Sequence, residues 1–113
     1  MIRLLFMFLI VLTSLCGGTA QASGPEVPVT FSLSAPQAAS VTIAGSFNQW
    51  DPSSHALTGP DLNGSWTITF RLAPGRYEYL FQINKKEWIT DPRAPSVDDS
   101  MGGRNSVVLI GTD

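Results

Sequence analysis

The chain has 113 residues, with 9 acidic side chains against 7 basic ones, a net charge of −2 and a single cysteine. A mildly acidic chain without a basic run excludes the electrostatic footprint of a nucleic-acid binder and of a protein held on an anionic membrane surface. One cysteine excludes an internal disulfide framework, and the length suits one small domain.

Arg3 is a short positive region, and Leu4 to Leu15 is an apolar run broken by Gly17-Gly18-Thr19. Ala20-Gln21-Ala22 then supplies a small-x-small cleavage site. This order is that of a secretory signal peptide over residues 1–22, cut after Ala22. It places the remainder in the periplasm or outside the cell, with no membrane insertion once the leader is gone. The apolar run is too short to span a bilayer comfortably. Cys16 opens a lipoprotein reading, but Leu15 before it is bulkier than lipidation cleavage sites take. Removal of the leader also removes the only cysteine. The folded domain must then hold together by aromatic and β-branched packing.

Residues 23–27 read as a flexible lead and residues 28–111 as the domain. Val27 to Ser34 alternates apolar and small polar residues, a period-two strand with Val29, Phe31 and Leu33 inward. Pro28 near its start suits an edge strand. After the turn Ala35-Pro36-Gln37-Ala38-Ala39, Ser40 to Ser46 is a second strand with Val41 and Ile43 inward. Phe47 to Ala56 is a long loop. Within it Trp50 precedes Asp51-Pro52, and Pro52 fixes its own φ and pushes Asp51 out of the helical region. Trp50 is thus held on a short, stiff loop beside a strand end. An indole there covers a neighbouring element or offers its face to a flat partner.

Ala56-Leu57-Thr58 is a short extended piece, and Asn63-Gly64 closes a turn. Ser65 to Leu72 puts Trp66, Ile68, Phe70 and Leu72 on one face. Arg76 to Asn84 puts Tyr77, Tyr79, Phe81 and Ile83 on the core face and Glu78, Leu80 and Gln82 on the other. Asn84-Lys85-Lys86-Glu87 is a polar hairpin turn, and Trp88-Ile89-Thr90 a short strand stopped by Asp91-Pro92. Arg93 to Arg104 reads as a polar loop and Asn105 to Ile110 as the closing strand. About seven short strands without a helical period make an all-β, immunoglobulin-like antiparallel β-sandwich.

The blocks Gly45-Ser46-Phe47-Asn48-Gln49-Trp50, Gly64-Ser65-Trp66, Pro74-Gly75-Arg76-Tyr77-Glu78-Tyr79-Leu80-Phe81, Trp88-Ile89-Thr90-Asp91-Pro92 and Asn105-Ser106-Val107-Val108 carry a resemblance. Together, in this order, they resemble carbohydrate-binding module family 48. The chain is most similar there to the glycogen-binding domain of the AMP-activated protein kinase β subunit. The resemblance runs from about Pro28 to Ile110. It implies an E-set sandwich that binds an α-1,4-linked glucan, oligosaccharide or polysaccharide, without catalysis. It implies that Trp50 and Trp88 cradle the sugar chain, that Asn105 supports them, and that Met101 takes the place of a supporting leucine. Leu80 stands where the kinase domain has lysine, and Gly103 where it has threonine. Lys85 or Lys86 in the adjacent hairpin is the cation expected to reach in instead.

The chemistry agrees with that assignment. An indole face matches the C–H face of a pyranose, and hydroxyls on the ring edge need amide or charged partners. Trp50 and Trp88 lie in a loop and a short strand, whereas Trp66 shares a face with Ile68 and Phe70 and reads as core. His55, without clustered cysteines or carboxylates, is neither a metal ligand nor part of a catalytic triad, and reads as a solvated loop side chain. Asp98-Asp99 reads as a pair of solvated loop charges rather than a glycosidase pair. Asp91 reads as a turn-former. No cofactor motif is present. The alternative is an exported structural or interaction sandwich with an envelope protein as its partner, favoured by Leu80 and Gly103.

Overall fold

The computed structural model describes residues 24–111, so the leader expected over residues 1–22 lies outside the described residues. Those residues form seven strands and no helix. They are β1 (Val27–Ser34), β2 (Val41–Gly45), β3 (Ser65–Leu72), β4 (Gly75–Ile83), β5 (Glu87–Ile89), β6 (Ser96–Asp98) and β7 (Arg104–Ile110). All pairings are antiparallel. β1 and β3 make a two-stranded sheet, and β2-β4-β7-β6 with β5 make a five-stranded one.

The alternation in β1, β3 and β4 sets which face is buried. Phe31 and Leu33 from β1, Trp66 and Leu72 from β3, Tyr79 and Phe81 from β4 and Val41 and Ile43 from β2 form one core between the sheets. Phe31 lies at its centre, 5.4 Å from the Phe70 ring in a stacked pair and 5.0 Å from Tyr79 edge-on. Such pairs add about 0.5–1.5 kcal/mol each beyond the area they bury. Trp66 is buried as expected, and its Nε1 donates to the Ala35 carbonyl at 2.9 Å. Without that acceptor the buried indole N–H would be unsatisfied.

The short piece Ala56-Leu57-Thr58 makes single bridges, Ala56 to Thr42 on β2 and Thr58 to Thr67 on β3, and so ties one sheet to the other. One expectation needs correcting: the polar stretch from Arg93 to Arg104 is not all loop, since Ser96–Asp98 pairs with residues 104–106 as β6. Arg104 secures that pairing by donating to Ser96 Oγ at 2.8 Å and to its carbonyl at 2.7 Å.

β4 organises the larger sheet. Its residues 81–83 pair with β2 and with β5 at once, and residues 75–79 pair with β7. β5 therefore lies on the edge away from β2, in line with β7. This brings residues from 87–89 and from 104–110 to one side of β4.

Asp91, just after β5, is buried, and so are its partners Tyr79 and Ser106. Tyr79 Oη donates to Asp91 Oδ2 at 2.6 Å, and the Asp91 N–H donates to Ser106 Oγ at 2.7 Å. The Arg93 N–H donates to Asp91 Oδ1 at 2.9 Å, the turn-forming bond expected of this residue. Burial, and then the neighbouring Asp91 carboxylate, push the Tyr79 phenol far above its ordinary range, so it stays a donor. Tyr79→Phe leaves a buried carboxylate oxygen without its partner. We expect it to lower stability by about 1–3 kcal/mol in urea unfolding. A change below about 0.5 kcal/mol would show the bond to be dispensable.

Candidate functional site

The turn out of β2 depends on a glycine. A Cβ on Gly45 would come within 2.8 Å of both the Phe47 ring and Tyr79 Cβ, so no other residue fits there without displacing backbone. The Gly45 carbonyl then accepts from the Asn48 N–H at 3.1 Å and the Trp50 N–H at 2.9 Å. These bonds wind the chain so tightly that Gln49 and Trp50 both take left-handed backbone, φ 59° and 58°. Each such non-glycine residue costs roughly 1–2 kcal/mol, so the loop must be held by its surroundings.

Asn48 holds it. Its Oδ1 accepts from the Gly45 N–H at 3.0 Å. Its Nδ2 lies 3.2 Å from the Ile43 carbonyl, the Asp51 carbonyl and Ser54 Oγ, and 3.0 Å from His55 Nδ1. Two amide protons are thus shared among four acceptors. His55 is not the solvated side chain expected. It is half-buried, its ring centroid 4.4 Å from that of Phe70, and it links the Trp50 loop to the core. Ser53 donates twice to Asp51 Oδ1, and these bonds hold the Asp51 carboxyl below its usual range. The result is a stiff platform that leaves Trp50 39% exposed.

Trp88, 44% exposed, pairs in register with Gln82 of β4. Leu80 lies on the same outer face of β4 as Glu78 and Gln82 and is half-buried. Trp50, Leu80, Trp88, Met101 and Asn105, drawn from four separate parts of the chain, line one open cavity of about 500 Å³. Glu78 and Asp99 complete its lining; from the sequence Glu78 reads only as an outward strand residue and Asp99 only as a solvated charge. Lys85 and Lys86 are not among the lining residues. They sit at the tip of the β4–β5 hairpin, where Asn84 and Lys85 both have positive φ and Lys86 N–H bonds the Ile83 carbonyl. Residues 84–86 form the three-residue connection between the paired Ile83 and Glu87.

Asn105 Nδ2 donates to Glu78 Oε1 at 3.1 Å, and Arg76 Nη1 to Glu78 Oε2 at 2.8 Å. The bond from Asn105, then that from Arg76, holds the Glu78 carboxyl below its ordinary range. Asp99 Oδ1 accepts from the N–H groups of Met101 at 2.7 Å and Gly103 at 2.9 Å, which keeps Asp99 ionised and shapes the loop that carries Met101. Asp98 likewise accepts from the Ser100 N–H at 2.8 Å. Asp98 is exposed, as expected of a solvated charge, whereas Asp99 lines the cavity and shapes the turn beside it. Among the described residues no group of three or more His, Cys, Asp or Glu side chains is arranged to hold a metal ion.

Comparison with known proteins points to sugar. The family described as the glycogen recognition site of AMP-activated protein kinase matches residues 27–113. A curated relative is the 1,4-alpha-glucan branching enzyme GlgB of Nitrosospira multiformis, 32% identical over 59 residues. That match covers 52% of this chain and 8% of the enzyme.

Asn48→Ala removes the bonds beneath Trp50. We expect it to lower stability by about 1–3 kcal/mol and to open the loop over residues 47–56 to limited proteolysis while both sheets stay protected. A loop as resistant as the parent's would show that Asn48 does not hold it.

Proposed function

The chain belongs to the family of the glycogen recognition site of AMP-activated protein kinase, and from that premise we propose that it binds a linear α-1,4-glucan across Trp50 and Trp88. Membership supports a carbohydrate-binding, non-catalytic role. The observation that carries the finer reading is the convergence of two half-exposed indoles, Leu80, Met101 and Asn105 on one cavity.

Each part has a job in that reading. The indole faces of Trp50 and Trp88 take the C–H faces of pyranose rings, with Leu80 as an apolar floor and Met101, 86% exposed, as an adaptable side. Asn105 supplies the amide that meets ring-edge hydroxyls. No ion pair forms between protein and ligand, so affinity depends little on salt. The leader read in residues 1–22 places this module outside the cytoplasm, where its ligand is a glucan of the cell envelope or the surroundings.

Trp50→Ala and Trp88→Ala are each expected to weaken retention on an amylose or glycogen column by about tenfold or more, equivalent to about 1.4 kcal/mol, with urea midpoints close to the parent's. Retention at the parental level, or unfolding of both variants, would overturn the assignment. Expression of the full chain with its leader is expected to yield an exported protein whose intact mass begins at Ser23. A retained leader would contradict the localisation.

A further inference from the structure

The glucan site as read above leaves its charge unexplained. Among the described residues, the ionisable ones that line the cavity are Glu78 and Asp99, both carboxylates, with no lysine, arginine or histidine in the lining. Leu80 adds an apolar side chain to the same lining, and neither Lys85 nor Lys86 belongs to it.

The two carboxylates are placed differently. Both Glu78 oxygens are engaged, one by Arg76 and one by Asn105. The bond from Asn105 decides how its amide is turned: the nitrogen faces Glu78, which leaves Oδ1 and the second N–H proton for another partner. Asp99 uses Oδ1 for two backbone N–H groups, and its Oδ2 has no hydrogen-bond partner among the described residues. That oxygen lies over Gly103, where a Cβ would meet it at 2.9 Å. Glycine at 103 therefore leaves the seat that the carboxylate occupies.

We propose that this site selects uncharged glucan, with Asp99 accepting from sugar hydroxyls, Glu78, its charge offset by Arg76, acting as a positioning residue for Asn105, and the Asp99 carboxylate excluding glucans that carry phosphate or another anionic group. The inference rests on the glucan-binding reading and sharpens its ligand class. A sugar hydroxyl is a donor that an ionised carboxylate satisfies well. A phosphate monoester brings mainly acceptors and a charge of about −1.5 to −2, and it meets the Asp99 carboxylate at a site where the guanidinium of Arg76 is already engaged by Glu78. The exclusion is electrostatic, so it weakens as the screening length falls from about 10 Å at 0.1 M salt to about 3 Å at 1 M.

The test is calorimetric titration of the whole exported domain with maltoheptaose and with maltoheptaose bearing one phosphate monoester, at low salt and at 1 M salt. We expect the phosphorylated sugar to bind about tenfold or more weakly at low salt and the gap to narrow at high salt. Asp99→Asn reduces that ratio, and so does Gly103→Ala, which pushes the carboxylate from its seat. Glu78→Gln retains more of the neutral-sugar affinity than Glu78→Ala, because the amide oxygen still accepts from Asn105. Equal affinities for the two sugars overturn the inference while leaving the glucan reading intact. A gap that ignores both salt and Asp99→Asn means steric exclusion and also overturns it. Binding of neither sugar removes the glucan reading and the inference with it.

Discussion

Trp50 occupies backbone that a bulky side chain avoids, and it does so because one amide side chain beneath it bonds five groups at once. Asn48 reaches back to β2, forward to Asp51 and Ser54, and sideways to His55. Through the His55–Phe70 contact the loop joins the core. The strain at Gln49 and Trp50 is thereby held in place by the fold itself. An indole fixed in this way loses little freedom when a flat ligand lies on it, which is where the affinity of a small open site has to come from.

The remainder of the platform follows from β4. Its inward side chains, Tyr77, Tyr79, Phe81 and Ile83, belong to the core, and of its outward ones Glu78 and Leu80 line the site. β7 and β5 lie end to end along the same edge of β4, which brings Asn105 and Trp88 to the same side of that strand. The Tyr79–Asp91–Ser106 cluster fastens the chain as it leaves β5 and locks it against β7. Core and site are two faces of one strand. A substitution on one face is therefore separable from the other.

Strand positions were legible because period-two alternation marks a sheet with one buried face, and β1, β3 and β4 are long enough to show it. The contrast between Trp66 and the other two tryptophans was legible for the same reason: it sits mid-run on an apolar face. β6 was not legible, since three residues between Pro95 and Asp99 carry no period to read. His55 was misjudged because its partners, Asn48 and Phe70, meet it only through tertiary packing. Nearness in sequence to Trp88 suggested Lys85 and Lys86, which sit in the connection between β4 and β5 and do not line the cavity. Glu78 had an outward position but no visible partner until β7 supplied Asn105. Asp99 needed the loop that it builds before its place in the wall could be seen.

The account stands on two indoles acting as one surface. The most direct measurement follows the three indole N–H resonances of the ¹⁵N-labelled domain while maltoheptaose is added. The account predicts that the Trp50 and Trp88 signals move together along one binding curve while that of Trp66, bonded to the Ala35 carbonyl in the core, stays fixed. Movement of only one of the exposed pair, or of Trp66 alone, would contradict it.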